Sequence, residues 1–367
     1  MASTTKKPWI RTPLIESAAL SKAAGCRIFL KLENLQPSGS FKSRGIGNYM
    51  LRRLPDPASG SSGPIHFYCS SGGNAGLACA HAARALSRPC TVVVPLTTSA
   101  LMIAKIRAAG ATAVIQEGAS WVEADTYMRL ILMREAEKKG EKVVYAPPFD
   151  DPDIWEGHSW MMDEIKDDLD KVALDERGGR SEPEAVICGV GGGGLFSGVM
   201  QGIDRHGWGH VPVIALETHG TDSLNQALKR GELKAPTLPA ITSRATCLGA
   251  RTVCRQAFEY GQRKNVKSVV LEDAEAAMGC WRLADDERMM VELACGVNVA
   301  LCYGGRLEKY LGRKLNAESK VVVIVCGGSN ITVEELTSYR QEYGHIEKFE
   351  ARNEEVPSTQ SAPNGSR

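Results

Sequence analysis

Short runs of β-branched and apolar residues alternate along this chain with longer stretches whose apolar positions recur at helical spacing. Pro64–Ser70 reads as a strand, and the small-residue stretch Gly73–Ser87 as the helix that follows it. Cys90–Pro95 is the next strand. A helix over Ser99–Ala109, a strand over Ala111–Gln116, a longer helix from Trp121 to Lys139 and a strand at Val143–Ala146 come after it. The rhythm resumes with strands at Ala185–Gly189, Val211–Glu217, Val269–Glu272 and Val321–Cys326. Strands separated by helices predict an α/β protein with parallel, helix-covered sheet. Val321–Cys326, apolar without interruption, has the character of a central strand. The turn-rich Pro147–Asp153 can carry the chain between the two series. Asp167–Pro183, charged and glycine-containing, reads as a surface connection, and no internal repeat is visible. The tail from Ala351 is poor in apolar residues and is predicted to be disordered.

Composition narrows the function. The 367 residues suffice for two domains around one cleft. Forty-four Lys and Arg against 43 Asp and Glu leave a formal charge of +1. That balance offers no electrostatic footing for nucleic acid or an anionic membrane. No apolar run approaches the roughly 20 residues of a membrane span, and Met1–Lys7 lacks the apolar stretch of a secretory signal. A soluble, cytoplasmic protein is expected. The eleven cysteines include no CxxC pair and no zinc-ligand spacing, so they read as small buried hydrophobes in a reducing compartment.

Three segments carry candidate chemistry. Gly189–Gly198 contains four consecutive glycines, Gly191, Gly192, Gly193 and Gly194, after an apolar strand and before a helix. Such a loop can turn successive backbone N–H groups toward a phosphate. Gly189, Gly191 and Gly194 also satisfy G-x-G-x-x-G, and Glu217 follows 23 residues after Gly194. A nicotinamide-dependent dehydrogenase is therefore a rival reading. Gln36–Asn48 sets Lys42 among Ser, Phe and Gly beside a helix beginning near Ser43. A lysine so placed against a phosphorylated aldehyde could form a Schiff base, whereas a dehydrogenase has no use for it. Ser70–Gly76 offers hydroxyls, an amide and backbone N–H groups at a helix start, which suits a carboxylate.

Taken together, SGSFKSRGIGN around Lys42, SSGGNAG from Ser70, PPFDDPDIWEGH from Pro147, GVGGGGL from Gly189, LETHG from Leu216 and VCGGSNI from Val325 resemble the fold-type II pyridoxal-phosphate enzymes. Within that family the chain is most similar to the catabolic L-serine/L-threonine dehydratases, especially fungal members, over residues 10–340. The resemblance implies two open, twisted parallel-sheet domains with the cofactor in the cleft between them. Residues 1–45 with 148–350 would form the larger, cofactor-binding domain, 46–147 the smaller substrate-side domain, and 351–367 the tail.

The resemblance also implies roles. Lys42 would hold pyridoxal 5'-phosphate through an imine and later take the substrate's Cα proton, with Phe41 against the ring. Asn74 would hydrogen-bond the phenolic oxygen, and Gly191, Gly192, Gly193, Gly194 and Leu195 would cradle the phosphate. Ser71, Gly72, Asn74 and Ala75 would hold the amino-acid substrate, and Cys326 would face the pyridine nitrogen. A thiol there cannot hold a pyridinium proton as a carboxylate does, which favours prompt loss of a β-hydroxyl over transamination. A monovalent cation, potassium, would lie among Gly191, Glu217, Thr221, Ser223, Leu248 and Ala250; Glu217 could instead only cap the next element. A homodimer is implied. Leu293 stands where relatives often carry Pro, and Gly72 where some carry Ala, so Gly72→Ala is expected to alter serine/threonine preference or rate. Racemase relatives carry a His in the Ser-Ser-Gly motif that is absent here, which makes a serine racemase-like activity the lesser reading.

Overall fold

The computed structural model describes residues 7–55, 65–176 and 180–347. The tail from Ala351 lies outside them, so its predicted disorder is not addressed. The strands are β1 (Leu14–Glu16), β2 (Arg27–Lys31), β3 (Ile65–Cys69), β4 (Cys90–Val94), β5 (Ala113–Gln116), β6 (Lys142–Tyr145), β7 (Ala185–Gly189), β8 (Val213–Thr218), β9 (Val266–Leu271) and β10 (Lys320–Ile324). They form a six-stranded sheet in the order β1-β2-β10-β7-β8-β9 and a four-stranded sheet in the order β5-β4-β3-β6. Every pairing is parallel except that of β1 with β2 at the edge of the larger sheet. β4, β7 and β10 are buried at every position, as strands covered on both faces must be. β10 lies between β2 and β7, the central place its apolar run predicts.

Three expectations need correction. The strands β1 and β2 were not anticipated: β1 has only three residues, and β2 is bracketed by Arg27 and Lys31. Asp167–Pro183 is not a connection throughout, because the helix Pro152–Asp175 runs through its first half. Met161, Ile165, Leu169 and Ala173 recur every fourth residue there and bury one face, while the charges occupy the other. The helix expected over Trp121–Lys139 contains a π-turn at Met128–Leu132.

Each sheet has its own apolar core. The core of the smaller sheet takes in Ile46, Tyr49 and Met50 from the helix Lys42–Arg52. The first turn of that helix is tied the other way. The buried Arg44 guanidinium donates to Glu33 at 2.7 Å and to Glu164 at 2.7 Å, and Lys31 Nζ reaches Glu164 at 2.6 Å. A buried ion pair is stable only when fully partnered, and this one is. The helix bearing Lys42 thus bridges the two halves, with its start held on the larger side.

Candidate active site

Residues from both halves line a common cleft. Lys42 occupies the first position of its helix. The turn before it is stitched to the loop after β10: Phe41 N donates to Cys326 O at 3.3 Å, and Gly328 N to Gly39 O at 2.9 Å. That stitching brings Lys42 and Cys326, far apart in sequence, onto one wall. Lys42 Nζ donates to Pro148 O at 3.1 Å and lies 5.1 Å from the Phe41 ring centre. Burial pushes its amine below the usual lysine range, against the opposing influence of neighbouring thiols and of Glu292. The neutral amine is the nucleophilic form.

The glycine loop leaves β7 and opens the helix Gly194–Arg205. Its N-cap, Gly193, sits at φ +91° and has no side chain to satisfy the first N–H groups of the helix. A Cβ on Gly192 would stand 2.3 Å from the Phe149 ring, so the loop passes under that ring only because the position is glycine. Gly191, Gly192, Gly193, Gly194 and Leu195 all line the cleft.

The Ser70–Gly76 loop approaches from the other side. Ser70 Oγ donates to Asp125 Oδ1 at 2.7 Å. A Cβ on Gly76 would fall 1.9 Å from Ser71 O, so the loop can double back onto the helix Asn74–Ala85 only with glycine there. Of the four residues expected to hold substrate, Asn74 lines the cleft; Ser71 and Gly72 are half-buried beside it and Ala75 is buried. Asn74 Nδ2 donates to Glu292 Oε1 at 2.9 Å and contacts Cys247 Sγ at 3.4 Å, while its Oδ1 accepts from Ser329 N at 3.0 Å. The space an alanine methyl would fill at Gly72 is taken by Thr98, whose Oγ1 would lie 2.5 Å from it. Cys326 lines the cleft and is nearly buried. Its interaction with Cys295, and burial, push its thiol well above the usual range, so it stays protonated.

Glu217 is fully buried in β8, and its two oxygens each accept a backbone N–H at 2.8 Å, from Leu224 and Asn225. It thereby holds the start of the helix Ser223–Arg230. Burial pushes its carboxyl up to about 8. The nearby Ser223 Oγ is buried without a partner among the described residues, and Leu248 packs against Gly191. Among the described residues no group of three or more His, Cys, Asp and Glu side chains gathers as a metal site. Leu293 is the first residue of the helix Leu293–Ala300, where Pro is also at home, so the departure from Pro disturbs no hydrogen bond.

Sequence reasoning missed Phe149, His158, Cys247 and Glu292, which also line the cleft. His158 is buried edge-on to Phe41, with ring centres 4.9 Å apart. Gly45 and Gly198, on two other helices, leave the room it fills. Burial, then the positive charges of Lys42 and Arg44, hold its imidazole well below the usual histidine range. One signal was available for Glu292: it is the lone charge in the otherwise apolar and small run Val291–Gly296.

The residues present suit a phosphorylated aldehyde. The uncapped helix start offers backbone N–H groups to a phosphate, and an enclosed amine whose pKa burial lowers stands across the same cleft. Comparison with known proteins agrees. The family model described as pyridoxal-phosphate dependent enzyme matches residues 6–327. An L-serine dehydratase of Saccharomyces cerevisiae is 43% identical over 328 residues, covering 89% of this chain and 95% of that protein. A human serine dehydratase-like protein is 43% identical over 342 residues, covering 91% of this chain and 95% of that one. The crystal structure of a fungal L-serine ammonia-lyase from Rhizomucor miehei superposes with a TM-score of 0.80 at 34% identity, covering 92% of this chain and 100% of that chain. By sequence and by fold, this chain belongs to the pyridoxal-phosphate dependent enzyme family, in its fold-type II branch.

Proposed function

We propose that this chain is a pyridoxal-phosphate-dependent lyase that dehydrates and deaminates L-serine to pyruvate and ammonia, and L-threonine to 2-oxobutyrate. The observation that carries the reading is the single cleft shared by the enclosed Lys42 amine, the glycine loop, Asn74 and Cys326. The similar yeast and Rhizomucor proteins bear the names of serine dehydratase and serine ammonia-lyase. A dehydrogenase reading leaves the enclosed Lys42 amine without a role. The racemase-like reading has no observation in its favour.

Bound pyridoxal phosphate supplies an aldehyde for an amine and a ring that takes up the electron pair left by a departing Cα proton. The chain's own residues do the rest. Lys42 Nζ holds the cofactor and receives the Cα proton, and Phe41 backs the ring. Asn74 donates to the phenolic oxygen, and the N–H groups of Gly191–Leu195 hold the phosphate. Ser71, Gly72, Asn74 and Ala75 seat the substrate carboxylate. Cys326, a thiol that stays protonated, would meet the ring nitrogen without stabilising a positive charge on it, which would favour prompt loss of the β-hydroxyl.

Finer assignments follow the same reading. Residues 1–45 with 148–350 form the cofactor-binding domain and 46–147 the substrate-side domain, supported by the separate cores of the two sheets. Glu217, Ser223 and the carbonyls of Gly191, Thr221, Leu248 and Ala250 would hold a potassium ion beside the glycine loop. The unpartnered Ser223 Oγ supports this, as does a carboxyl that a cation would return to its charged form. A cytoplasmic homodimer is in keeping with the family resemblance; among the described residues no helix is long and apolar enough to cross a membrane.

The test is a spectrum of the purified protein with pyridoxal phosphate, alongside pyruvate release from L-serine. A band near about 410 nm that borohydride bleaches, leaving its label on Lys42, is expected. Lys42→Ala removes the band and lowers turnover by about a hundred- to ten-thousandfold, the usual size of a lost general base. Absence of both band and pyruvate in the parent protein would overturn the reading.

A further inference from the structure

We infer that Glu292 is a positioning residue: its carboxylate fixes which end of the Asn74 amide faces the cofactor's phenolic oxygen. The inference deepens the pyridoxal-phosphate reading and rests on it. The two ends of an asparagine amide are nearly alike in shape, and only their partners decide which one presents a donor. Here both ends are specified from the larger-sheet side. Asn74 Nδ2 donates to Glu292 Oε1 at 2.9 Å, and Oδ1 accepts from Ser329 N at 3.0 Å. Turned over, the amide would set an oxygen against a carboxylate and an N–H against an N–H.

Glu292 is itself built in. It is 6% exposed, and its Oε1 also accepts from Asn330 N at 2.7 Å. The loop after β10 closes over it at Gly328, φ +115°, where a Cβ would fall 2.5 Å from that same oxygen. Among the described residues it is the one carboxylate in the cleft wall. With one hydrogen of Nδ2 engaged by Glu292, the other points toward Cys247 Sγ at 3.4 Å. Sulfur is a weak acceptor, so this second hydrogen remains available for a phenolic oxygen. A donor there favours the ionised phenolic oxygen, the form that absorbs at longer wavelength.

Three variants separate position from charge and from capping. Glu292→Gln keeps length and an acceptor. Glu292→Asp keeps the charge and a good N-cap for the helix Leu293–Ala300 but withdraws the oxygen from Asn74. Asn74→Ala removes the amide. Each folded variant is titrated with pyridoxal phosphate, reading the dissociation constant and the ratio of the long-wavelength band to the shorter one. Glu292→Gln is expected to stay within about threefold of the parent, and Glu292→Asp to bind about tenfold more weakly with the balance moved to the shorter band. Adding Asn74→Ala to Glu292→Asp is expected to change nothing further, because the two act as one unit. If Glu292→Asp does not fold, Glu292→Ser takes its place with the same expectation. A parent-like constant and spectrum in the shortened variant, or full additivity with Asn74→Ala, overturns the inference. A parent protein with no band at all overturns the cofactor reading instead.

Discussion

The two loops that meet in the cleft are built on opposite principles. The glycine loop after β7 has no functional side chain to place between Gly191 and Gly194; it presents main-chain N–H groups, and its path is set by close packing beneath Phe149. The Ser70–Gly76 loop after β3 presents side chains. Their orientation is set by hydrogen bonds to residues outside the loop, Ser70 to Asp125 and Asn74 to Glu292 and Ser329. Phosphate needs only donors and charge at a helix start, which backbone supplies. Discriminating among amino acids needs polar groups at fixed angles, which side chains and their partners supply. Damage to the first loop should therefore appear as loss of cofactor, and damage to the Ser70–Gly73 stretch of the second as loss of substrate discrimination, with Asn74, which meets the cofactor as well, belonging to both.

The sharpest way to break this contrast is Gly192→Ala. Its methyl would overlap the Phe149 ring at 2.3 Å, and overpacking of that kind costs about 1–3 kcal/mol. Cofactor affinity is expected to fall by about ten- to a hundredfold, and Phe149→Leu in the same chain should recover part of it. Equilibrium titration with pyridoxal phosphate reads both. On the other side, Asp125→Ala frees Ser70 and is expected to raise KM for L-serine about tenfold. The cofactor constant should not move. A matching loss of cofactor affinity would show that the loops are not separable.

His158 belongs to the cofactor side of the contrast, and its effect is on stability. Its folded-state pKa lies well below 6.5, first through burial and then through the facing Lys42 and Arg44. Between that value and about 6.5 the unfolded chain binds the extra proton, so stability falls as pH falls through this window. His158→Gln should remove that part of the slope, at most about 1.4 kcal/mol between pH 7.5 and 5.5. Denaturant unfolding of parent and variant at the two pH values measures it, and parallel slopes would show that the imidazole protonates freely in the fold.

What could be read from the chain follows the same division. Strands such as β4, β7 and β10 announce themselves because, Thr91 and Lys320 apart, each is a run of apolar and small residues. The glycine loop is legible because a run of glycines has a steep entropic cost unless the backbone itself is used. β1 and β2 carry little local signal: three residues in one, and charged ends in the other whose Lys31 is buried only because Glu164, far along the chain, completes it. The partners of Asn74 were equally out of reach. Glu292, Cys247 and Ser329 come from separate segments, and only the folding of one sheet against the other brings them to one amide. His158 lies in the segment PPFDDPDIWEGH but nothing local gave it a role, and its space is made by Gly45 and Gly198 on other helices.

The finest distinction rests on Gly72. The sequence shows only a glycine where some relatives carry Ala; in the structure the space beside it is filled by Thr98, whose Oγ1 and Cγ2 would lie 2.5 and 2.7 Å from an added Cβ. Gly72→Ala therefore does not simply fill a gap. The methyl must displace a threonine side chain, which can turn about one bond, rather than a ring or a stretch of backbone. The yielding neighbour limits the cost, in contrast with Gly192, where the obstacle is the Phe149 ring. The expected result is a two- to fivefold change, roughly, in the ratio of kcat/KM for L-serine and L-threonine, with the cofactor spectrum unchanged. Thr98→Ala combined with Gly72→Ala should return the ratio toward the parent value, since it removes the atoms being pushed. A ratio identical in all three proteins would mean that this stretch of the loop does not sense the β-substituent. A loss of cofactor in Gly72→Ala comparable to that in Gly192→Ala would mean that the two loops share one mechanical role.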